Sequence, residues 1–170
     1  HTGSDSLYFN KEGTFPGVGA YQSKKSPFYS WYTFRNYPNS YQCWWDFDTL
    51  PTVKKMDPAF VEYIITGEDS VIAHWLNAGC DGFRLDVADE LPDAFILRLK
   101  KRIREIKPDA LLLGEVWEDA SNKIAYDKRK RYFLGNELDS VMNYPLKDAI
   151  LQFVKYGDCK KLFYVIKEQI

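Results

Sequence analysis

The chain is poor in the residues that most metal centres and nucleophilic triads need. Its two histidines, His1 and His74, give a histidine-rich metal site or a Ser-His-Asp triad little to draw on. Its three cysteines, Cys43, Cys80 and Cys159, are odd in number and far apart. They suit neither a disulfide framework nor a zinc ligand set and read as structural thiols in a reducing compartment. That reading favours a cytoplasmic setting without excluding a secreted parent protein. Net charge is also lacking: 23 basic against 24 acidic residues leave −1, so no electrostatic pull toward nucleic acid or an anionic membrane is expected. No apolar run is long enough to span a bilayer, and His1-Thr2-Gly3-Ser4-Asp5 does not open a signal peptide. A chain starting on His is expected to be an internal piece of a longer one. No segment has the oxygen-ligand pattern of a calcium loop, so no cofactor is required by the sequence, and calcium is an option without a motif behind it.

What the chain does have is length for one domain with a real core, 170 residues at 45% hydrophobic, and many rings. Tyr29, Trp31, Tyr32, Phe34, Tyr37, Tyr41, Trp44, Trp45 and Phe47 crowd one stretch. Aromatic faces stack on sugars, and they also serve as the core of a loop-rich subdomain; the sequence supports both readings.

Residues 1–50 are rich in Gly, Ser, Asn, Pro and Tyr, with no helical period, and read as irregular loops with a short strand or two. Asp57-Pro58 predicts an N-cap followed by proline in the first turn of a short helix that Gly67 ends. Asp69 or Ser70 can cap a second helix, with Gly79 at its C-terminal end. A strand over 82–87 is followed by a helix over 91–107, whose face of Arg98, Lys100, Lys101, Arg102 and Arg104 reads as an ordinary solvated surface. Ala110–Trp117 is a second buried strand and 118–138 a polar loop. Ser140–Tyr144 is a third strand closed by Pro145, and helix 146–156 ends at Gly157. This alternation is the rhythm of parallel β/α units, an α/β fold.

Two of those strands end on carboxylates, Asp86 and Glu115. Parallel neighbours lie about 4.8 Å apart, close to the roughly 5–5.5 Å separation of the carboxyl pair in retaining glycosidases, and catalytic groups of β/α barrels sit at this end of the strands. Arg84, two residues before Asp86, shares its face of the strand and favours the charged form of Asp86, as a nucleophile requires. Glu115 stands between Leu111-Leu112-Leu113-Gly114 and Val116-Trp117, so burial is expected to raise its pKa and suit it to general acid work. Gly114 is expected to leave room for a sugar ring. The competing reading is an Arg84–Asp86 structural ion pair with Glu115 capping a loop.

Asp81-Gly82-Phe83-Arg84-Leu85-Asp86-Val87-Ala88-Asp89-Glu90 resembles the second conserved motif of the α-amylase family, glycoside hydrolase family 13, and Gly114-Glu115-Val116-Trp117 resembles its third. Leu50-Pro51 with Asp57-Pro58, and Ser140-Val141-Met142-Asn143-Tyr144-Pro145, are similar to further family segments. The resemblance implies Asp86 as nucleophile, Glu115 as acid/base, and Arg84 as the arginine that orients Asp86. It implies His1, Asp89, Glu90 and Trp117 as substrate contacts. Asp89-Glu90 in place of a Lys-His pair, with Glu118-Asp119-Ala120-Ser121 after the acid, is similar to the neopullulanase, cyclomaltodextrinase and amylopullulanase branch. It further implies part of a TIM (β/α)8 barrel, strands four to six with flanking helices, over 57–170. Residues 1–56 would be most of a loop-rich B domain inserted after strand three. The implied partner is an α-glucan (starch, pullulan, maltodextrin or cyclodextrin), with α-1,4 cleavage, with or without α-1,6 cleavage. The first-motif aspartate and the fourth motif have no counterpart here, so the isolated segment is expected to be inactive. The alternatives are a non-catalytic amylase-like domain and a glycan-binding module.

Overall fold

The computed structural model describes residues 1–134 and 137–168. The chain forms two compact units, His1–Val71 and Ile72–Ile170, and residues 57–71 group with the first. The reason is visible in the rings: Phe60 and Tyr63, from the segment expected to open the second domain, both pack on Trp31.

In the first unit two short strands, β1 (Phe34–Asn36) and β2 (Ser40–Tyr41), pair antiparallel. The rest is loop and 3-10 turn around a core of Phe9, Ala20, Trp31, Tyr32, Tyr41 and Val53. Phe9 lies edge-on to Tyr32 and Tyr41 and parallel to Phe34. Trp31, Tyr32 and Tyr41 of the aromatic cluster are therefore core, and Phe34 packs against them. Tyr29, Tyr37 and Trp44 are half-buried, and Trp45 and Phe47 are more than half exposed. Helix α1 (Pro58–Val61) starts as expected: the Asp57 carboxylate accepts from the Ala59 and Phe60 amides, with proline in the first turn. A π-helical turn, Glu62–Thr66, continues it to Gly67.

Helix α2 (Val71–Asn77) leads into the second unit from its second residue on. Gly79, at φ +108°, turns the chain into β3 (Gly82–Leu85), and after a 3-10 turn at Ala88–Glu90 comes α3 (Asp93–Ile106), then β4 (Leu111–Gly114). A small antiparallel hairpin follows, β5 (Ile124–Ala125) with β6 (Lys128–Arg129), then β7 (Ser140–Val141), α4 (Tyr144–Tyr156) and α5 (Lys160–Glu168). β3, β4 and β7 form one parallel sheet in that order. α3 buries Phe95, Ile96, Leu99 and Ile103, and Ala110, Leu112 and Val116 beside and beyond β4 are buried as well.

Four expectations need correction. Pro145 does not close a strand; it lies in the first turn of α4, whose N-cap Asn143 accepts from the Leu146 amide. The polar loop contains the β5–β6 hairpin, turning through Tyr126 and Asp127, both left-handed. The basic face of α3 is not simply solvated. Lys100 is only 9% exposed and pairs with Asp139, which also takes Arg104 at 2.6 Å and the Leu112 amide at 2.7 Å. Gly114 is small for packing: a Cβ there would stand 2.5 Å from Leu138 Cδ1 and 3.3 Å from Ala88 Cβ, so it fits protein and not sugar.

Among the described residues no helix is long and apolar enough to cross a membrane.

Candidate active site

The parallel register pairs Leu85 with Gly114, so Asp86 and Glu115 each stand one residue beyond a matched pair, at the C-terminal end of adjacent strands. The ladder runs on past the strands: Glu115 N–H donates to the Leu85 carbonyl and Ala88 N–H to the Glu115 carbonyl. Arg84 bonds both carboxylates. One terminal nitrogen pairs with Asp86 Oδ1 and the other lies 2.6 Å from Glu115 Oε1. The Asp86 side chain is 67% exposed and open to a ligand; Glu115 is 8% exposed.

The backbone between them is strained. Val87 sits at φ 42°, ψ 62°, a left-handed conformation that costs a β-branched residue of the order of 1–3 kcal/mol. That turn aims the Val87 N–H at Glu115 Oε2, 3.0 Å away. Two successive amides thus grip residue 115, Val87 on its carboxylate and Ala88 on its carbonyl.

These donors overturn the expected state of Glu115. Its flanking residues are apolar, but its carboxylate meets the Val87 amide, the Trp117 side chain, the Tyr144 hydroxyl at 3.0 Å and Arg84. The Val87 bond acts most strongly, and together they outweigh burial and hold the carboxyl below the usual glutamate range. In this state Glu115 is a base.

The other expected site residues separate. Trp117, 46% exposed, stays at the site through Glu115. Asp89 is occupied by protein: Tyr132 Oη donates to it at 2.6 Å and Lys123 lies 3.4 Å away. Glu90 accepts from Tyr126, whose hydroxyl that bond pushes up to about 12. Both acids anchor the segment that follows the second strand. His1 belongs to the first unit, with its ring stacked on Trp44 at 5.1 Å. Among the described residues no three His, Cys, Asp or Glu side chains gather as a metal cluster.

Sequence reasoning missed Tyr144 and the Val87 amide. Tyr144 arrives because β7 pairs with β4 (Gly114 with Val141) and the Met142 amide donates to the Gly114 carbonyl, which brings the start of α4 beside Glu115. The only advance signal was Tyr144 lying just past a strand expected to neighbour Glu115. Val87 offered none, since its residue type argues against a left-handed turn.

The alpha-amylase catalytic-domain model matches residues 6–168. The chain belongs to the alpha-amylase family. Amylopullulanase of Thermoanaerobacterium thermosulfurigenes is 36% identical over 172 residues, covering 91% of this chain and 9% of that protein. Neopullulanase 2 of Thermoactinomyces vulgaris is 28% identical, covering 81% and 22%. Among solved structures, Ttha1563 from Thermus thermophilus superposes with a TM-score of 0.72 at 33% identity, over 91% of this chain and 30% of that one. The cyclic alpha-maltosyl-(1→6)-maltose hydrolase of Arthrobacter globiformis, at 21% identity and a TM-score of 0.70, shares the fold. This alpha-amylase family chain thus spans roughly a tenth to under a third of the length of these relatives, and its parallel sheet, with α3 crossing from β3 to β4, is part of the family's barrel.

Proposed function

We propose that the chain is a segment of a retaining α-glucan hydrolase, with Asp86 as nucleophile and Glu115 as acid/base. The observation that carries this is the single Arg84 guanidinium joining both carboxylates at matched ends of parallel strands. A pair held so closely suits retention, because an inverting pair stands roughly 6.5–9.5 Å apart to admit water. The names of the relatives, amylopullulanase and neopullulanase among them, support an α-glucan as substrate. We assign the strands to positions four to six of the barrel and residues 1–56 to most of the inserted B domain.

In the first step an Asp86 oxygen attacks the anomeric carbon while Glu115 gives its proton to the departing glycosidic oxygen. In the second, Glu115 takes a proton from water, and that water's oxygen replaces Asp86 on the sugar. The ionised Glu115 of the free site is the form that second step needs. A sugar seated over Asp86 expels water from around Glu115, which raises its proton affinity toward the acid form. Arg84 keeps Asp86 oriented throughout, and the exposed Trp117 ring offers a face to the sugar beyond the cleaved bond. Asp89 and Glu90 act on substrate through the segment they anchor.

The segment by itself is inactive, so the test belongs to the longer polypeptide that carries it. Asp86→Asn and Glu115→Gln should each lower turnover on pullulan or starch by roughly 10²–10⁴-fold or more with unfolding midpoints unchanged. Near-normal turnover in either variant would sink the assignment.

A further inference from the structure

Glu115 must alternate between carboxylate and carboxylic acid if it is the acid/base, and its surroundings have to tolerate both. The inference below rests on that reading and deepens it. The groups that face Glu115 come from three places. Arg84 and the Val87 N–H approach from β3 and the turn after it, with Asp86 on the far side of Arg84. Trp117 comes from the chain just beyond β4. Tyr144 comes from the start of α4, with the Lys147 ammonium 4.6 Å from its ring centre.

Donor and acceptor chemistry sorts these partners. A guanidinium, a backbone N–H and an indole N–H can only donate. All three satisfy a carboxylate, and none can receive the hydrogen of a carboxylic acid. A tyrosine hydroxyl donates and accepts by rotating its hydrogen. Tyr144 Oη is 3.0 Å from Glu115 Oε1, the same oxygen that Arg84 holds at 2.6 Å, while the Val87 amide occupies Oε2.

We propose that Tyr144 is the positioning residue of the acid/base cycle: its hydroxyl donates to Glu115 as carboxylate, accepts from it as acid until that hydrogen passes to the glycosidic oxygen, and then donates again, keeping the side chain in one place through both steps. It is held for this task at three points. β7 pairing sets its height beside Glu115, the Asn143 cap fixes the first turn of α4, and Lys147 sits against its ring. Removing the hydroxyl takes more from the carboxylate than from the acid, because bonds to a charged group are the stronger ones.

The test is a carbon-13 NMR titration of this chain, with labels at glutamate Cδ and tyrosine Cζ, in the wild type and in Tyr144→Phe. Glu115→Gln identifies the Glu115 signal by its loss. The expected result is a Glu115 midpoint below the ordinary glutamate range, and a Tyr144 Cζ signal that moves with that same midpoint as its hydroxyl changes from donor to acceptor. In Tyr144→Phe, which keeps the ring and its packing, the Glu115 midpoint should rise. A Tyr144 signal flat across the Glu115 titration, or an unmoved midpoint in Tyr144→Phe, would overturn the proposal. None of these readouts requires turnover, so loss of the glycosidase reading would show separately, as normal hydrolysis by Glu115→Gln in the longer polypeptide.

Discussion

Replacing Asp139 with alanine tests how the sheet beneath the site is pinned. Asp139 precedes β7, and its carboxylate takes Lys100 and Arg104 from α3 and the Leu112 amide from β4. Exposed ion pairs contribute about 0–1 kcal/mol, whereas breaking a buried one costs about 3–5 kcal/mol. The Lys100 and Asp139 side chains are 11% and 21% exposed, nearer the buried limit, so orphaning Lys100 should cost about 2 kcal/mol. Arg104 is more exposed and keeps the Pro108 and Ala110 carbonyls, so it adds little. The Leu112 amide, left without its acceptor, adds about 1 kcal/mol. The expected loss is about 3 kcal/mol at pH 7, read as a lower urea midpoint at an unchanged slope. Asp139→Asn keeps an acceptor for Leu112 and should recover about 1 kcal/mol of that. Burial alone would raise the Asp139 carboxyl, but Lys100, the Leu112 amide and Arg104 hold it below the usual aspartate range. A lowered folded pKa gives stability that is present above the unfolded value, about 3.9, and is lost as pH falls through the folded one. The gap between wild type and Asp139→Ala should therefore narrow below about pH 4. A loss under about 0.5 kcal/mol at pH 7, in the range of a surface pair, would refute the reasoning.

Two glycines give contrasting expectations. At Gly82 (φ +154°) a Cβ would stand 2.1 Å from the Leu111 carbonyl oxygen in the paired strand. Backbone cannot yield there, so Gly82→Ala should part β3 from β4 and leave a chain without a cooperative unfolding transition. At Gly114 the obstacle is the tip of Leu138, so Gly114→Ala should cost about 1–3 kcal/mol and regain most of it with Leu138→Val. An absence of coupling between those two substitutions in the urea midpoint would contradict the packing role given to Gly114.

What could be read from the sequence followed how local its causes are. Asp57-Pro58 capped its helix, Gly157 ended α4 in a left-handed residue, and Arg84, Asp86 and Glu115 met because strand alternation and parallel register are short-range rules. The state of Glu115 went the other way, since its neighbours in sequence are apolar while its neighbours in space are donors. One is a main-chain amide exposed by a strained valine, and one is a tyrosine delivered by a third strand. Lys100 was misread for the same reason: its partner Asp139 lies on another element. The β5–β6 hairpin was missed because its left-handed turn residues are Tyr126 and Asp127 where a glycine would have announced it.

The assignment of Asp86 and Glu115 is tested most directly with α-maltosyl fluoride, whose leaving group departs without a proton. In the longer polypeptide, Glu115→Gln should release one rapid equivalent of fluoride per site and stall as a glycosyl ester on Asp86, found as the mass of one maltosyl unit on the peptide carrying that residue. Asp86→Asn should release none. Fluoride release by Asp86→Asn at the wild-type rate, or a sugar ester on any other residue, would contradict the account.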